Sequence, residues 1–135
     1  STRVVNPSSE SVDEVINTIS SGSGMDKAFE CVGKQDTFVQ AMMSVRKNGL
    51  VTIVGIFEDQ QITIPAGRFI THEIHVQGAQ GYCWDFPIAL HFANEIPLQK
   101  LITHRFPLGD LQKAFETAFD RSKNSVKIVI HPWEE

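Results

Sequence analysis

The segment Gly49-Leu50-Val51-Thr52-Ile53-Val54-Gly55 limits the fold more than any other part of the chain. It reads as a buried parallel strand closed by glycine. An earlier strand, Asp26 to Cys31 followed by Val32-Gly33, feeds it through a helix from Asp36 to Arg46 that stops at Asn48-Gly49. Strand, helix, strand with glycines just past the strand ends is the βαβ unit of a doubly wound α/β sheet. Ligands of such sheets bind outside the carboxyl ends of the strands. Val32-Gly33 and Gly55-Ile56 therefore mark where a ligand is expected.

At 135 residues the chain has the length of about one domain. Twelve basic against sixteen acidic side chains give a net charge of -4, without a clustered basic surface, so no nucleic-acid partner is expected. No apolar run approaches the ~18 residues of a membrane span, and no signal peptide is seen. Cys31 and Cys83 form no Cys-x-x-Cys pair; Cys31 lies in an apolar strand and is expected to be a buried thiol. A reducing, cytoplasmic setting fits. The chain opens on Ser1 and not on Met, which suggests a piece of a longer protein or a processed product.

Further elements flank the βαβ unit. Arg3 to Asn6 reads as a short strand stopped by Pro7. Val12, Val15, Ile16 and Ile19 recur at helical spacing, and Ser21 to Gly24 ends that helix as a turn. Gln61 to Ile64 reads as a short strand before Pro65, and Ile74 to Ala79 as a strand with a small-residue exit. Asp85 with Pro87 opens a helix, in which Trp84, Phe86 and Phe92 are expected to pack. Ile102 to Phe106 is extended. Leu111, Ala114, Phe115 and Phe119 line one face of a helix, and Val126 to Ile130 is the last strand. No G-x-G-x-x-G is present; Gly22-Ser23-Gly24 precedes a strand where the fingerprint must follow one.

Four pieces occur in order. They are Phe29-Glu30-Cys31-Val32-Gly33, Gly49 to Gly55, Leu101 to Leu108, and Ser125 to Ile130. Together they resemble the C-terminal part of the medium-chain, zinc-type alcohol dehydrogenases, the branch of sorbitol, butanediol and threonine dehydrogenases. The resemblance implies the second half of a Rossmann-type parallel sheet, strands three to six of that family's six, plus a short C-terminal α+β tail. Strand three would be near Val4-Val5, strand four Asp26 to Cys31, strand five Leu50 to Gly55 and strand six Ile74 to Ala79. It divides the chain into a partial NAD(P)-binding domain, residues 1–100, and a segment of the catalytic domain, residues 101–135.

The same resemblance implies a set of cofactor-binding positions. Main-chain groups at Val54, Gly55 and Ile56 after strand five, and at Ala79 and Gly81 after strand six, would hold the nicotinamide carboxamide. Cys31, Val32 and Gly33 would edge the adenosine half. Lys127 would face the pyrophosphate. The complete enzyme would use NAD or NADP together with zinc, but the zinc ligands, the proton relay and the glycine fingerprint belong upstream of this segment. No catalytic or metal-ligating residue is therefore assigned, and the chain by itself is expected to be inactive. His72-Glu73-Ile74-His75 is one residue short of the metalloprotease helix H-E-x-x-H. Expected partners are the upstream half of the dehydrogenase and a second copy, paired as a dimer through sheet edges near strand six and Ile62-Thr63-Ile64. Two other functions stay open: a non-catalytic interaction module derived from a dehydrogenase, and part of a zinc-free quinone reductase.

Overall fold

The computed structural model describes residues 3–133; Glu134 and Glu135, the end of the expected catalytic-domain segment, lie outside them. The chain forms two compact units, the first ending at Gly81 and the second beginning at Tyr82.

The first unit opens with α1, Val12–Ile19. Ser11 caps it by accepting a hydrogen bond from the Glu14 amide at 3.3 Å, and Asp13 and Glu14 complement the positive end of the helix. Strand β1, Met25–Glu30, leads to helix α2, Gln35–Ser44, and then to β2, Val45–Ile53. A short helix α3, Gly67–His72, precedes β3, His75–Gly78. The three strands form a parallel sheet in the order β1-β2-β3. Lys27 to Glu30 align with Leu50 to Ile53, which in turn align with His75 to Gly78. The carboxyl ends of all three strands therefore lie at one edge of the unit.

The core lies between the sheet and α2. Phe38, Ala41 and Met42 recur at helical spacing and are buried against Val45, Val51 and Ile74. Val51 points to this core from the central strand, which explains the β-branched run around it. Strands four, five and six of the expected order are present as β1, β2 and β3. The weak first strand is not: residues 3–6 form no strand and join neither sheet.

Two boundaries differ from the sequence reading for one physical reason each. Helix α2 stops at Ser44, not at Arg46, because Arg68 reaches back from α3 to its carboxyl end. The guanidinium donates to the carbonyls of Met42 (3.2 Å), Met43 (3.1 Å) and Val45 (3.2 Å), replacing the partners a helix end lacks. Gln61 to Ile64 is not a strand. The Thr63 amide is taken by the Gln35 side chain at 2.7 Å, and Ile62 and Ile64 pack on the core.

The second unit holds α4, Phe86–Ala93, a 3-10 turn at Leu98–Leu101, β4, Ile102–Pro107, α5, Leu111–Phe119, and β5, Lys127–His131. Strands β4 and β5 pair in parallel, so the C-terminal tail is itself a small βαβ unit around α5. Thr103 fastens the pair: its hydroxyl accepts from the Val126 amide at 3.0 Å and donates to the Lys127 carbonyl at 3.3 Å. Of the aromatic residues expected to pack around α4, Trp84, Phe86 and Phe92 are all exposed; Phe86 lies against the Tyr82 ring and Phe92 against the His91 ring, but none is buried.

Candidate functional site

At the carboxyl edge of the three-stranded sheet, two loops lock together. The turn after β1 holds Cys31, Val32 and Gly33, and the loop after β2 holds Val54, Gly55 and Ile56. Gly33 has φ +81°, and a side chain there would lie 2.1 Å from the Ile56 carbonyl oxygen. A side chain at Gly55 would lie 2.3 Å from the Gly33 nitrogen. Both glycines are required by this close approach. The loop after β2 is also tied to β1 through the main chain, since the Val54 and Gly55 amides donate to the Glu30 carbonyl at 2.8 and 3.0 Å. Ala79 continues the ladder by donating to the Ile53 carbonyl at 2.8 Å.

Beneath the two loops sits Glu30, only 2% exposed. Its carboxylate accepts from the Val32 amide at 2.9 Å, from the Gly33 amide at 2.9 and 3.1 Å, and from the Thr37 hydroxyl at 2.7 Å. Burial pushes its carboxyl up; the Thr37 hydroxyl and the amides of Gly33, Val32 and Lys34 outweigh that and hold it below its ordinary range. The negative charge faces the start of α2, where helix and charge are complementary.

The surface presented above this scaffold is apolar. Val32 is 60%, Val54 48% and Ile56 90% exposed. The carbonyls of Val54 and Ala79 accept no hydrogen bond from the described residues, so they are available acceptors. A side chain at Gly78 or Gly81 would meet nothing, which leaves open space over that end of the sheet. A cleft of about 200 Å³ continues between Gly33 to Asp36 and Phe57 to Asp59. Backbone acceptors, small residues and exposed aliphatic side chains suit a flat, amide-bearing ring. Another cavity, about 460 Å³, lies at the opposite end of the strands beside Arg46, Lys47 and Arg68; there Arg68 is already engaged by three carbonyls.

Eight of the expected positions, Cys31, Val32, Gly33, Val54, Gly55, Ile56, Ala79 and Gly81, fall in the first unit at or beyond the carboxyl ends of β1, β2 and β3. Lys127 belongs to the second unit, where it is the exposed first residue of β5. Cys31 is exposed, not buried, because β1 ends at Glu30 and the cysteine lies in the turn beyond it. Glu30 and Thr37 were missed in the sequence reading. With Asp26 and Lys27 charged in the same strand, Glu30 carried no distinguishing signal in the sequence. No group of three or more His, Cys, Asp or Glu side chains among the described residues could hold a metal. His72 in particular is turned to Arg68 and Thr71.

This arrangement is that of a doubly wound α/β sheet. The chain belongs to the zinc-binding dehydrogenase family, whose pattern it matches over residues 1–95. It is 37% identical to an L-arabinitol 4-dehydrogenase of Talaromyces emersonii over 110 residues, which are 80% of this chain and 28% of that protein. The corresponding enzyme of Aspergillus niger is 33% identical over 135 residues, 93% of this chain and 35% of that one. Among solved structures, the 2R,3R-butanediol dehydrogenase of Bacillus subtilis superposes with a TM-score of 0.83 at 31% identity, covering 95% of this chain and 37% of that one. The chain thus spans about a third of the length of these relatives, and corresponds to the C-terminal portion of zinc-type medium-chain dehydrogenases.

Proposed function

We propose that this chain is the nicotinamide-side part of the NAD(P)-binding domain of a zinc-dependent polyol dehydrogenase. The carrying observation is the interlocked Gly33–Gly55 edge with the open Val54 and Ala79 carbonyls beside it. Val54, Gly55, Ile56, Ala79 and Gly81 hold the carboxamide and ring; Cys31, Val32 and Gly33 border the adenosine side; Lys127 meets the pyrophosphate. The division of labour is a cofactor-domain part, residues 1–100, and a return to the catalytic domain, residues 101–135.

When bound, the nicotinamide supplies the hydride chemistry of alcohol oxidation. The residues of this chain orient it. Carbonyls of Val54 and Ala79 accept from its amide, and the aliphatic side chains of Val54 and Ile56 shield the ring from water. Among the described residues no ligand set for zinc comes together; in this reading the zinc ligands are carried by the upstream part of the enzyme. The chain alone binds cofactor weakly and turns over no alcohol. No helix among the described residues is long and apolar enough to cross a membrane. Two copies pair along the β3 edge, one of the two outer edges of the three-stranded sheet. Thr63 is not available for that pairing, because Gln35 takes its amide.

The testing experiment is a titration of isotope-labelled chain with NADH and NADPH, followed by amide resonances. Shifts confined to 31–33, 54–56, 79–81 and Lys127 are expected. Their absence with both cofactors at saturating concentration would sink the cofactor reading.

A further inference from the structure

We infer that Glu30 is the positioning residue of the site: its buried carboxylate clamps the Val32-Gly33 turn against the Gly55 loop and so sets the backbone on which the cofactor rests. The inference rests on the cofactor reading above and adds to it a residue that would touch no ligand.

The side chain first shows an unusual balance. A buried carboxylate is costly unless it is paired or fully hydrogen-bonded. No cationic side chain is among the groups that hold Glu30. Its partners are the Thr37 hydroxyl and amides of the turn that follows β1. The charge is thus spent wholly on the loop and the start of α2.

The second loop is gripped by the same residue. A side chain at Gly55 would lie 2.5 Å from Glu30 Oε2, so the carboxylate and Gly55 are in direct contact. The Glu30 carbonyl accepts from both Val54 and Gly55. One residue holds both halves of the edge, the first by its side chain and the second by its main chain. Changing the carboxylate should therefore move ligand-facing backbone that the side chain itself does not expose.

Glutamine is the discriminating substitution, since it keeps the shape and loses one acceptor. The Gly33 amide bonds both carboxylate oxygens. In Glu30→Gln one of them becomes an NH2 donor facing that donor. Isotope-labelled chain would be compared as wild type, Glu30→Gln and Thr37→Val. The Val32 and Gly33 amide resonances should move sharply in Glu30→Gln. The dissociation constant for NADH should rise about tenfold, equivalent to a single decade of affinity. Thr37→Val, which removes one donor and leaves the carboxylate, should move both readouts in the same direction by less, and it carries the test if Glu30→Gln does not fold. Unmoved Val32 and Gly33 resonances would overturn the clamp. Moved resonances with NADH affinity within twofold of wild type would overturn its positioning role. A wild type that does not respond to NADH would instead remove the cofactor reading, and this inference with it.

Discussion

Among the described residues, Phe38, Ala41, Met42, Val45, Val51 and Ile74 form a buried cluster in the first unit, while Ala114 is the one buried hydrophobic residue of the second. Both units contain a βαβ arrangement with parallel strands and an amphipathic helix. The difference lies in how many apolar faces find a partner within the unit. Helix α2 is covered by a three-stranded sheet and by Ile62, Ile64 and Phe69 from the loop and helix that follow. Helix α5 has only two strands to lie against, and Phe115 and Phe119 stay exposed. Helix α4 is apolar at every position but His91 and has no buried residue. A helix of that composition is built to be covered on several sides. Periodicity thus specifies which face wants a partner, and the rest of the architecture decides whether it gets one.

The sharpest way to break this comparison is to cut equivalent cavities in both units. Met42 is fully buried, so Met42→Ala should destabilise the first unit by about 2–5 kcal/mol. Phe115→Ala, at a half-exposed position on α5, should cost well under that, on the order of 1 kcal/mol. Amide exchange of Val51 and Ile128 would report the two units separately. Equal losses would show that α5 is as well packed as α2.

Next in size is Arg68. Its guanidinium serves three carbonyls at the end of α2 and the start of β2. Removing it leaves those carbonyls to water and costs about 2 kcal/mol, allowing for partial exposure. Arg68→Lys should recover only part of this, because an ammonium lacks the planar fork. Urea unfolding of both variants checks it. A full rescue by lysine would mean that charge alone ends α2.

These residues also mark what the sequence could and could not disclose. The order β1-α2-β2-β3 was legible because apolar runs bounded by glycine carry their own period. The family resemblance was legible because four short segments kept their order. The end of α2 was not, since its cause, Arg68, lies more than twenty residues onward. Gln61 to Ile64 has the alternation of a strand, but Gln35 takes the amide a ladder would need. Glu30 in β1 looked like an ordinary charge on a strand; only the fold brings the Val32 and Gly33 amides and the Thr37 hydroxyl around it. Cys31 looked buried because its neighbours are apolar, yet it falls one residue past the strand end. Arg68, Gln35 and Glu30 are thus side chains whose partners are supplied by folding.

A smaller effect is expected in acid. The Glu30 carboxyl is held below its ordinary value of 4.5. A carboxyl depressed in the folded state stabilises fully above its unfolded value, and that stability is lost as pH falls through the folded value. The first unit should therefore weaken progressively below about pH 4.5. Glu30→Gln should flatten that part of the profile while leaving the second unit's acid response as it was. Amide exchange of Val51 and Ile128 at stepped pH would resolve the two. An unchanged Val51 profile in Glu30→Gln would assign the acid response to other carboxylates.

The smallest effect is the one that sharpens the comparison most. Phe119 ends α5 and is 84% exposed. If the second unit is as open as its exposure indicates, Phe119→Ser removes little buried area, and stability should stay within about 0.5 kcal/mol. The same change should raise solubility, because exposed aromatic surface promotes association. Urea unfolding monitored at Ile128, beside light scattering at increasing concentration, measures both. A loss near that of Met42→Ala would mean that Phe119 is covered in solution, and that the second unit completes its core through a partner surface. Its apolar helices would then resemble α2 in energetics, differing only in where their covering comes from.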